Sequence, residues 1–170
     1  MTTMTSARRP GKFPIVAAIK SLALLLALVA AVAAPSRAAV TERIVTDLHT
    51  GLALSGYDPV AYFTNAAPVV GRPEYEYRFK EVIWRFDNEG NRAAFARNSD
   101  LYVPRFGGYD SVAIARGVAL PGNPAYWTIV DDRLYLFYSP EALASFKADP
   151  AIAIAAAEAR WPQVMGGLAR

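Results

Sequence analysis

The chain has 170 residues, of which 54% are hydrophobic and 19% are charged, which is typical of one globular domain and excludes a disordered tail. Its formal net charge is +3, but the segment 1–38 holds Arg8, Arg9, Lys12, Lys20 and Arg37 and no acidic residue. The rest of the chain, 39–170, has fewer cations than acids, so the body of the protein is slightly acidic and we expect no nucleic-acid partner.

Residues 1–38 have the three parts of a secretory signal peptide. A cationic region extends to Lys20, an apolar run occupies positions 21–34, and Ser36-Arg37-Ala38 forms a small-x-small cleavage site. The apolar run is shorter than the roughly 20 residues that a membrane-spanning helix needs. We therefore predict cleavage after Ala38 and a periplasmic protein with no stable membrane span. An uncleaved membrane anchor is the alternative.

The chain has no cysteine, and His49 is its only histidine. This composition excludes disulfides, thiolate metal sites, cysteine nucleophiles and paired-histidine metal sites. His49 lies in the N-terminal segment that follows the cleavage site, residues 39–50, where we expect a solvated loop; a single metal ligand or a base is the alternative for this histidine. No G-x-S-x-G sequence accompanies it, so a hydrolase is not expected, and we predict that the protein is not an enzyme.

The first half of the body predicts a short helix, a hairpin and a longer helix. Asp58-Pro59 combines a helix N-cap with a proline at the first helical position, which predicts a helical turn over 59–63. Charged and aromatic residues alternate over 74–79, the pattern of a half-buried strand with its aromatic side chains inward. Residues 82–86 are the expected hairpin partner, and a helix capped by Asp87 or Asn88 should extend to about residue 98.

The second half predicts the same order of elements. A loop over 104–109 precedes a short helix that ends at Gly117. Asn123-Pro124 is interpreted as another helix cap. The remaining expected elements are a hairpin with strands 127–130 and 133–138 around Asp131-Asp132, a helix over 140–147, and a last helix from Asp149-Pro150 to Trp161-Pro162.

Three identities support an internal repeat with an offset of 51 positions: Phe86 with Phe137, Ala93 with Ala144 and Phe95 with Phe146. The repeated order of strand, strand and helix is stronger support than the identities. We therefore predict an α+β fold in which two hairpin-plus-helix units form one small domain over 51–162, followed by a C-terminal tail over 163–170.

Four segments together resemble the secreted bacterial YHS-domain proteins. They are a Gly-Tyr-Asp-Pro-Val opening within 56–63, an aromatic hairpin and helix over 75–95, a Phe-Gly-Gly-Tyr loop over 106–109, and a Trp-x-Ile-Val-Asp hairpin over 127–136. The resemblance covers nearly all of residues 51–162. It implies a YHS-like domain that binds a small ligand or a metal ion in the periplasm.

The resemblance also implies where cysteines would stand in metal-handling members of that family. By motif, those positions here are Ala61, Asp87 and Asn91, and the position at which the secreted relatives usually have a cysteine is Asp110. Because none is a cysteine, binding of a soft metal does not carry over to this chain. Either metal binding has been lost, or it has moved to oxygen ligands.

Two Tyr-Asp pairs that follow glycines form the candidate site: Tyr57-Asp58 and Tyr109-Asp110. If these loops converge, Asp58 and Asp110 could hold a hard divalent metal ion, because Ca²⁺, Mg²⁺ and Mn²⁺ prefer oxygen donors. The tyrosines would contribute hydroxyl groups for a small ligand, with Tyr62 as a wall of the site. For each aspartate the alternative is a helix cap, and for each tyrosine it is a place in the core.

These patterns predict a secreted, non-catalytic domain that binds a small ligand or a metal ion. The alternative function is a protein–protein interaction module of the cell envelope with an unidentified protein partner. Such a module would show an exposed apolar patch rather than a defined pocket.

Overall fold

The computed structural model describes residues 43–168, so the predicted signal peptide and its cleavage site lie outside the described residues. The described chain is a mixed α+β domain, as predicted, with two small antiparallel sheets of two strands each. Its helices are α1 (Ala61–Thr64), α2 (Glu89–Arg97), α3 (Ser99–Tyr102), α4 (Ser111–Ala115), α5 (Pro140–Ala148) and α6 (Pro150–Gly167), with 3₁₀ turns at Leu54–Gly56 and Arg105–Gly108. Its strands are β1 (Arg72–Phe79), β2 (Val82–Phe86), β3 (Asn123–Val130) and β4 (Arg133–Phe137).

The first hairpin pairs β1 with β2 through a tight turn at Lys80 and Glu81. Both residues have positive φ, 50° and 65°, as the turn that matches the twist of a tight hairpin requires. Tyr77 pairs with Trp84, and the register shifts once, between Arg72 and Glu76. The aromatic side chains of β1 pack against the buried core, which confirms the predicted inward face.

Helix α2 follows this hairpin and covers it. The Asn88 side chain accepts a 2.9 Å hydrogen bond from the Asn91 amide, which makes Asn88 the N-cap, one of the two residues predicted for that role. Phe95 is fully buried, and its ring lies 5.2 Å from the Trp84 ring and 5.1 Å from the Phe86 ring. The helix is therefore held by one aromatic side chain inserted among those of the hairpin.

The second half repeats this arrangement, which confirms the predicted offset. The bounds of β3, β4 and α5 each lie 51 positions after those of β1, β2 and α2. The repeat includes the irregular register, because the second hairpin shifts between Asn123 and Trp127. Asp131 and Asp132 form the turn with φ of 50° and 56°.

The two units share their core through strand β4. The first core cluster is built around Trp84, Phe86 and Phe95, and the second around Phe106, Phe137 and Phe146. Leu134 and Leu136 of β4 belong to the first cluster, whereas Tyr135 and Phe137 belong to the second. Because successive side chains of a strand point to opposite faces, β4 is buried on both sides and joins the two clusters.

Two sequence-based predictions are wrong in the second half. Asn123 does not cap a helix: it begins strand β3, and its side chain instead accepts a hydrogen bond from the Ala125 amide in a local turn. The last helix does not end at Pro162 but continues to Gly167, so most of the expected tail is helical. The helix continues because Val164 and Leu168 still pack on the second core cluster, and this packing outweighs the backbone hydrogen bond that a proline removes.

The sequence interpretation also missed two features. Helix α3 lies between residue 98 and residue 104, where no element was predicted, and the 3₁₀ turn at Arg105–Gly108 lies where only a loop was expected. The described part of the N-terminal segment, residues 43–50, is part of the folded domain, since Ile44 is buried in the first core cluster and the Val45 amide donates a 2.8 Å hydrogen bond to the Gly107 carbonyl. No helix among residues 43–168 is both long and apolar enough to cross a bilayer.

Candidate ligand-binding site

Asp58 is a fully buried carboxylate that ties two parts of the first unit together. Its Oδ1 accepts hydrogen bonds from the amides of Val60 (2.8 Å) and Ala61 (3.2 Å) at the start of α1. Its Oδ2 accepts from the Asp87 amide (2.9 Å) and from Asn91 Nδ2 (2.7 Å), beyond strand β2. A carboxylate has about four acceptor positions, and all four are used here. This geometry corresponds to the capping alternative for Asp58.

Asp110 has the equivalent position in the second unit and is 1% exposed. Its Oδ1 accepts from the amides of Val112 (2.7 Å) and Ala113 (2.9 Å), and its Oδ2 accepts from the Tyr138 amide (2.7 Å). The fourth donor of the first unit has no equivalent among the described residues, because Ala142 stands 51 positions after Asn91. The repeat is therefore complete in the backbone but incomplete in one side-chain hydrogen bond.

The structure divides the three predicted tyrosines between the two clusters. Tyr62 and Tyr57 contact the first core cluster, whereas Tyr109 belongs to the second, with its ring 6.3 Å from that of Trp161. The Tyr62 hydroxyl donates a 2.9 Å hydrogen bond to the Pro124 carbonyl. Burial raises the pKa of Tyr62 well above its ordinary value, and neighbouring Tyr57 and Asp58 raise it further, so this phenol stays neutral.

The predicted metal pair of Asp58 and Asp110 has no supporting ligands in the described part of the chain. No group of three or more histidine, cysteine, aspartate or glutamate side chains within residues 43–168 is placed to hold a metal ion. Each of the two carboxylates instead accepts hydrogen bonds from backbone amides, and Asp58 accepts a further one from the Asn91 side chain. His49 lies on the exposed turn where the Asp47 carboxylate accepts from the amides of His49 and Thr50.

A cavity with a volume of about 890 Å³ lies elsewhere. It forms where the hairpin turn of β1 and β2, helix α3, the second 3₁₀ turn and helix α6 meet. Its lining combines basic, acidic and apolar side chains. They are Arg43, Ile44, Lys80, Glu81, Asp100, Val103, Pro104, Arg105, Phe106, Gly107, Arg133, Trp161 and Met165.

Gly107 positions the wall of this cavity on the side of the N-terminal segment. It has φ of +64°, and a Cβ atom at this position would run into the carbonyl group of Arg43. A glycine therefore allows Arg43 and the second 3₁₀ turn to approach closely. The Phe-Gly-Gly-Tyr motif was the one sequence signal that marked this region, but the site residues predicted from it are Tyr109 and Asp110 rather than Phe106 and Gly107, which line the cavity.

A second depression of about 640 Å³ is lined by Tyr57, Tyr126 and Tyr138 together with several prolines, and we call it the tyrosine groove. Tyr138 is 57% exposed there. Of the predicted site residues, Tyr57 lies in this tyrosine groove, and Asp110 borders a third depression of about 420 Å³. The structure thus does not show the five predicted residues lining one common cavity.

Comparison with protein-family models, curated proteins and solved structures gives no match.

Proposed function

We propose that this protein is a non-catalytic, exported domain that binds a small organic ligand in the 890 Å³ cavity beside helix α6. The observation that carries the proposal is the size and lining of this cavity. Ligand sites in proteins are typically concave, have volumes of about 300–1,000 Å³, and combine an apolar surface with a few polar groups. Trp161 and Met165 supply the apolar surface here, and arginines supply the polar groups.

The proposal keeps the small-ligand function that the sequence suggests and moves its location. Asp58 and Asp110 act as caps, so a site made of them would have to compete with strong backbone hydrogen bonds. The periplasmic location rests on the sequence of residues 1–38, and membership of the YHS-domain family rests on the four motifs alone.

The test is native mass spectrometry of the protein purified from the periplasm without a metal-chelating tag. We expect a mature chain that begins at Ala39 and carries a small organic adduct. Met165→Trp should fill part of the cavity and remove the adduct. Ile152→Trp is the matched control, because Ile152 is an exposed residue on the same helix and does not line the cavity.

Three results would contradict the proposal. An adduct that persists in Met165→Trp, with the variant still folded by circular dichroism, would place the ligand elsewhere. A metal ion in elemental analysis that is lost in Asp110→Asn but kept in Met165→Trp would support the metal site predicted from the sequence. A chain that remains in the cytoplasm with residues 1–38 attached would contradict export.

A protein-interaction module of the cell envelope is the second candidate, and the tyrosine groove favours it. Tyrosine is enriched at protein interfaces because its ring buries apolar surface while its hydroxyl keeps a hydrogen bond. Tyr138→Ser would separate the two candidates: it should leave ligand binding in the cavity unchanged, whereas loss of a co-purifying protein in this variant alone would support the interaction module.

A further inference from the structure

We infer that the ligand of the 890 Å³ cavity is an amphipathic monoanion, a carboxylate attached to an apolar body. This inference rests on the proposed function, because it specifies the chemistry of the same site. It follows from three independent properties of the lining: its charge balance, its free hydrogen-bond donors and its apolar side.

Among the described lining residues, one positive charge is left without a negative partner. Two ion pairs neutralise themselves: Lys80 Nζ lies 2.9 Å from Asp100, and Arg105 lies 2.6 Å from Glu158 on helix α6. Of the other charged lining residues, Arg43 and Arg133 are cations and Glu81 is an acid, and none of them forms an ion pair within the described part of the chain. One negative charge on the ligand would balance the cavity.

The free donors lie on arginines. One nitrogen of Arg133, Nη1, donates a 3.0 Å hydrogen bond to the Asp100 carbonyl, which anchors the side chain and leaves its other N–H groups available. The Nε atom of Arg105 is buried and has no acceptor among the described residues. Because this Nε atom has almost no exposed surface and Nη2 is paired with Glu158, the accessible donors of the lining are those of Arg133 and of the exposed Arg43. The planar guanidinium group presents its N–H donors in the spacing that matches the two oxygens of a carboxylate.

The apolar side of the cavity would contact the apolar body of the ligand and not its carboxylate. The rings of Phe106 and Trp161 meet edge to face with centroids 5.7 Å apart, and the half-buried Trp161 and Met165 present the apolar surface, because Phe106, Ile44 and Val103 are themselves buried in the core. A bare inorganic anion would leave this apolar surface in contact with water. An organic acid with an aromatic or aliphatic body would cover it and place its carboxylate among the arginines.

Three probes with the same body and different head groups test this inference: 4-phenylbutyrate, 4-phenylbutanol and protonated 4-phenylbutylamine. We expect isothermal titration calorimetry on the mature chain to show the acid binding at least about tenfold more tightly than the alcohol, since hydrogen bonds to charged groups contribute that much or more. The amine should bind more weakly than the alcohol. Arg133→Met should reduce binding of the acid by about tenfold and change binding of the alcohol little.

Arg97→Met is the matched control, because Arg97 is an exposed arginine in the last turn of α2 and does not line the cavity. Equal binding of acid and alcohol would overturn the inference about the anion while leaving the cavity as a ligand site. Tighter binding of the amine would overturn it as well. If no probe binds, and Met165→Trp also leaves the native adduct in place, the proposed function itself fails.

Discussion

At the scale of single residues, a buried aspartate has the same structural role in both units but lacks one side-chain hydrogen bond in the second. A buried aspartate caps a short helix with one oxygen and ties down the end of a strand with the other, at both Asp58 and Asp110. The sequence predicted both capping roles as alternatives to ligand binding, because Asp before a short helix is a local signal. The links to Asp87 and Tyr138 could not be predicted locally, since each joins residues far apart in the sequence and depends on how the hairpin packs.

The unequal partners of these aspartates lead to a paired prediction. Asn91→Ala should lower the free energy of unfolding by about 1–3 kcal/mol, because it removes a 2.7 Å hydrogen bond to a buried carboxylate. Ala142→Asn should raise it by roughly 1 kcal/mol, because it supplies the equivalent donor to Asp110, less the poorer helix propensity of asparagine. Urea unfolding followed by circular dichroism measures both changes.

Ala144→Asn is the control for the second substitution. Ala144 is exposed on the same helix, so asparagine there has the propensity cost without the buried carboxylate, and we expect a small loss of stability. If Ala142→Asn destabilises the protein as much as Ala144→Asn does, the new side chain does not reach Asp110 and the two units are not equivalent at this position.

At the scale of elements, the hairpin–helix unit was the part that the sequence predicted best. Its signals are local patterns, and the structure reproduces each of them: the strict alternation in β1, the cap before α2 and the same spacing of elements in the second half. The end of α6 was not predictable in this way. Pro162 is a strong local stop signal, but the packing of Val164 and Leu168 depends on a surface that other elements build.

The glycine before β1 gives a prediction for the element as a whole. A Cβ atom on Gly71 would lie 2.6 Å from backbone and side-chain carbon atoms of Arg85, and Gly122 is equally close to Leu136 in the second unit. Gly71→Ala should therefore push β1 away from β2 where the register shifts, and lower the free energy of unfolding by about 2 kcal/mol or more. Thermal unfolding would show this as a lower Tm.

Gly166→Ala serves as its control, because Gly166 lies in helix α6 and a Cβ atom there meets no atom within 4 Å. Alanine in a helix is more favourable than glycine, so this variant should be as stable as the natural protein or slightly more stable. A Gly71→Ala variant that matched it would show that β1 can shift without loss of packing.

At the scale of the whole molecule, the cavity was beyond sequence reasoning for a topological reason. Its lining comes from the N-terminal segment, the first hairpin turn, α3, the second 3₁₀ turn, β4 and α6, from Arg43 at one end of the described chain to Met165 at the other. No motif spacing connects these segments, because their proximity results from the way the two units pack together. The motifs that could be identified mark the caps and turns that build each unit.

Strand β4 leads to the last prediction, because it is the element that both core clusters share. Leu136→Ala should lower the free energy of unfolding by about 2–5 kcal/mol, as expected for truncating a buried leucine, since this residue is 1% exposed in the first core cluster. This loss of stability should appear equally in both units, since a two-state domain unfolds as a whole. Hydrogen exchange of β2 and β4 measures this. The protected amides of both strands should become exposed at the same urea concentration, which should be lower than in the natural protein.

Val118→Ala is the control, because this residue is 53% exposed, and it should leave the exchange profiles of both strands unchanged. If β4 loses protection while β2 keeps it, each unit is stable by itself, and the cavity between their hairpins and α6 is a site that can open without global unfolding.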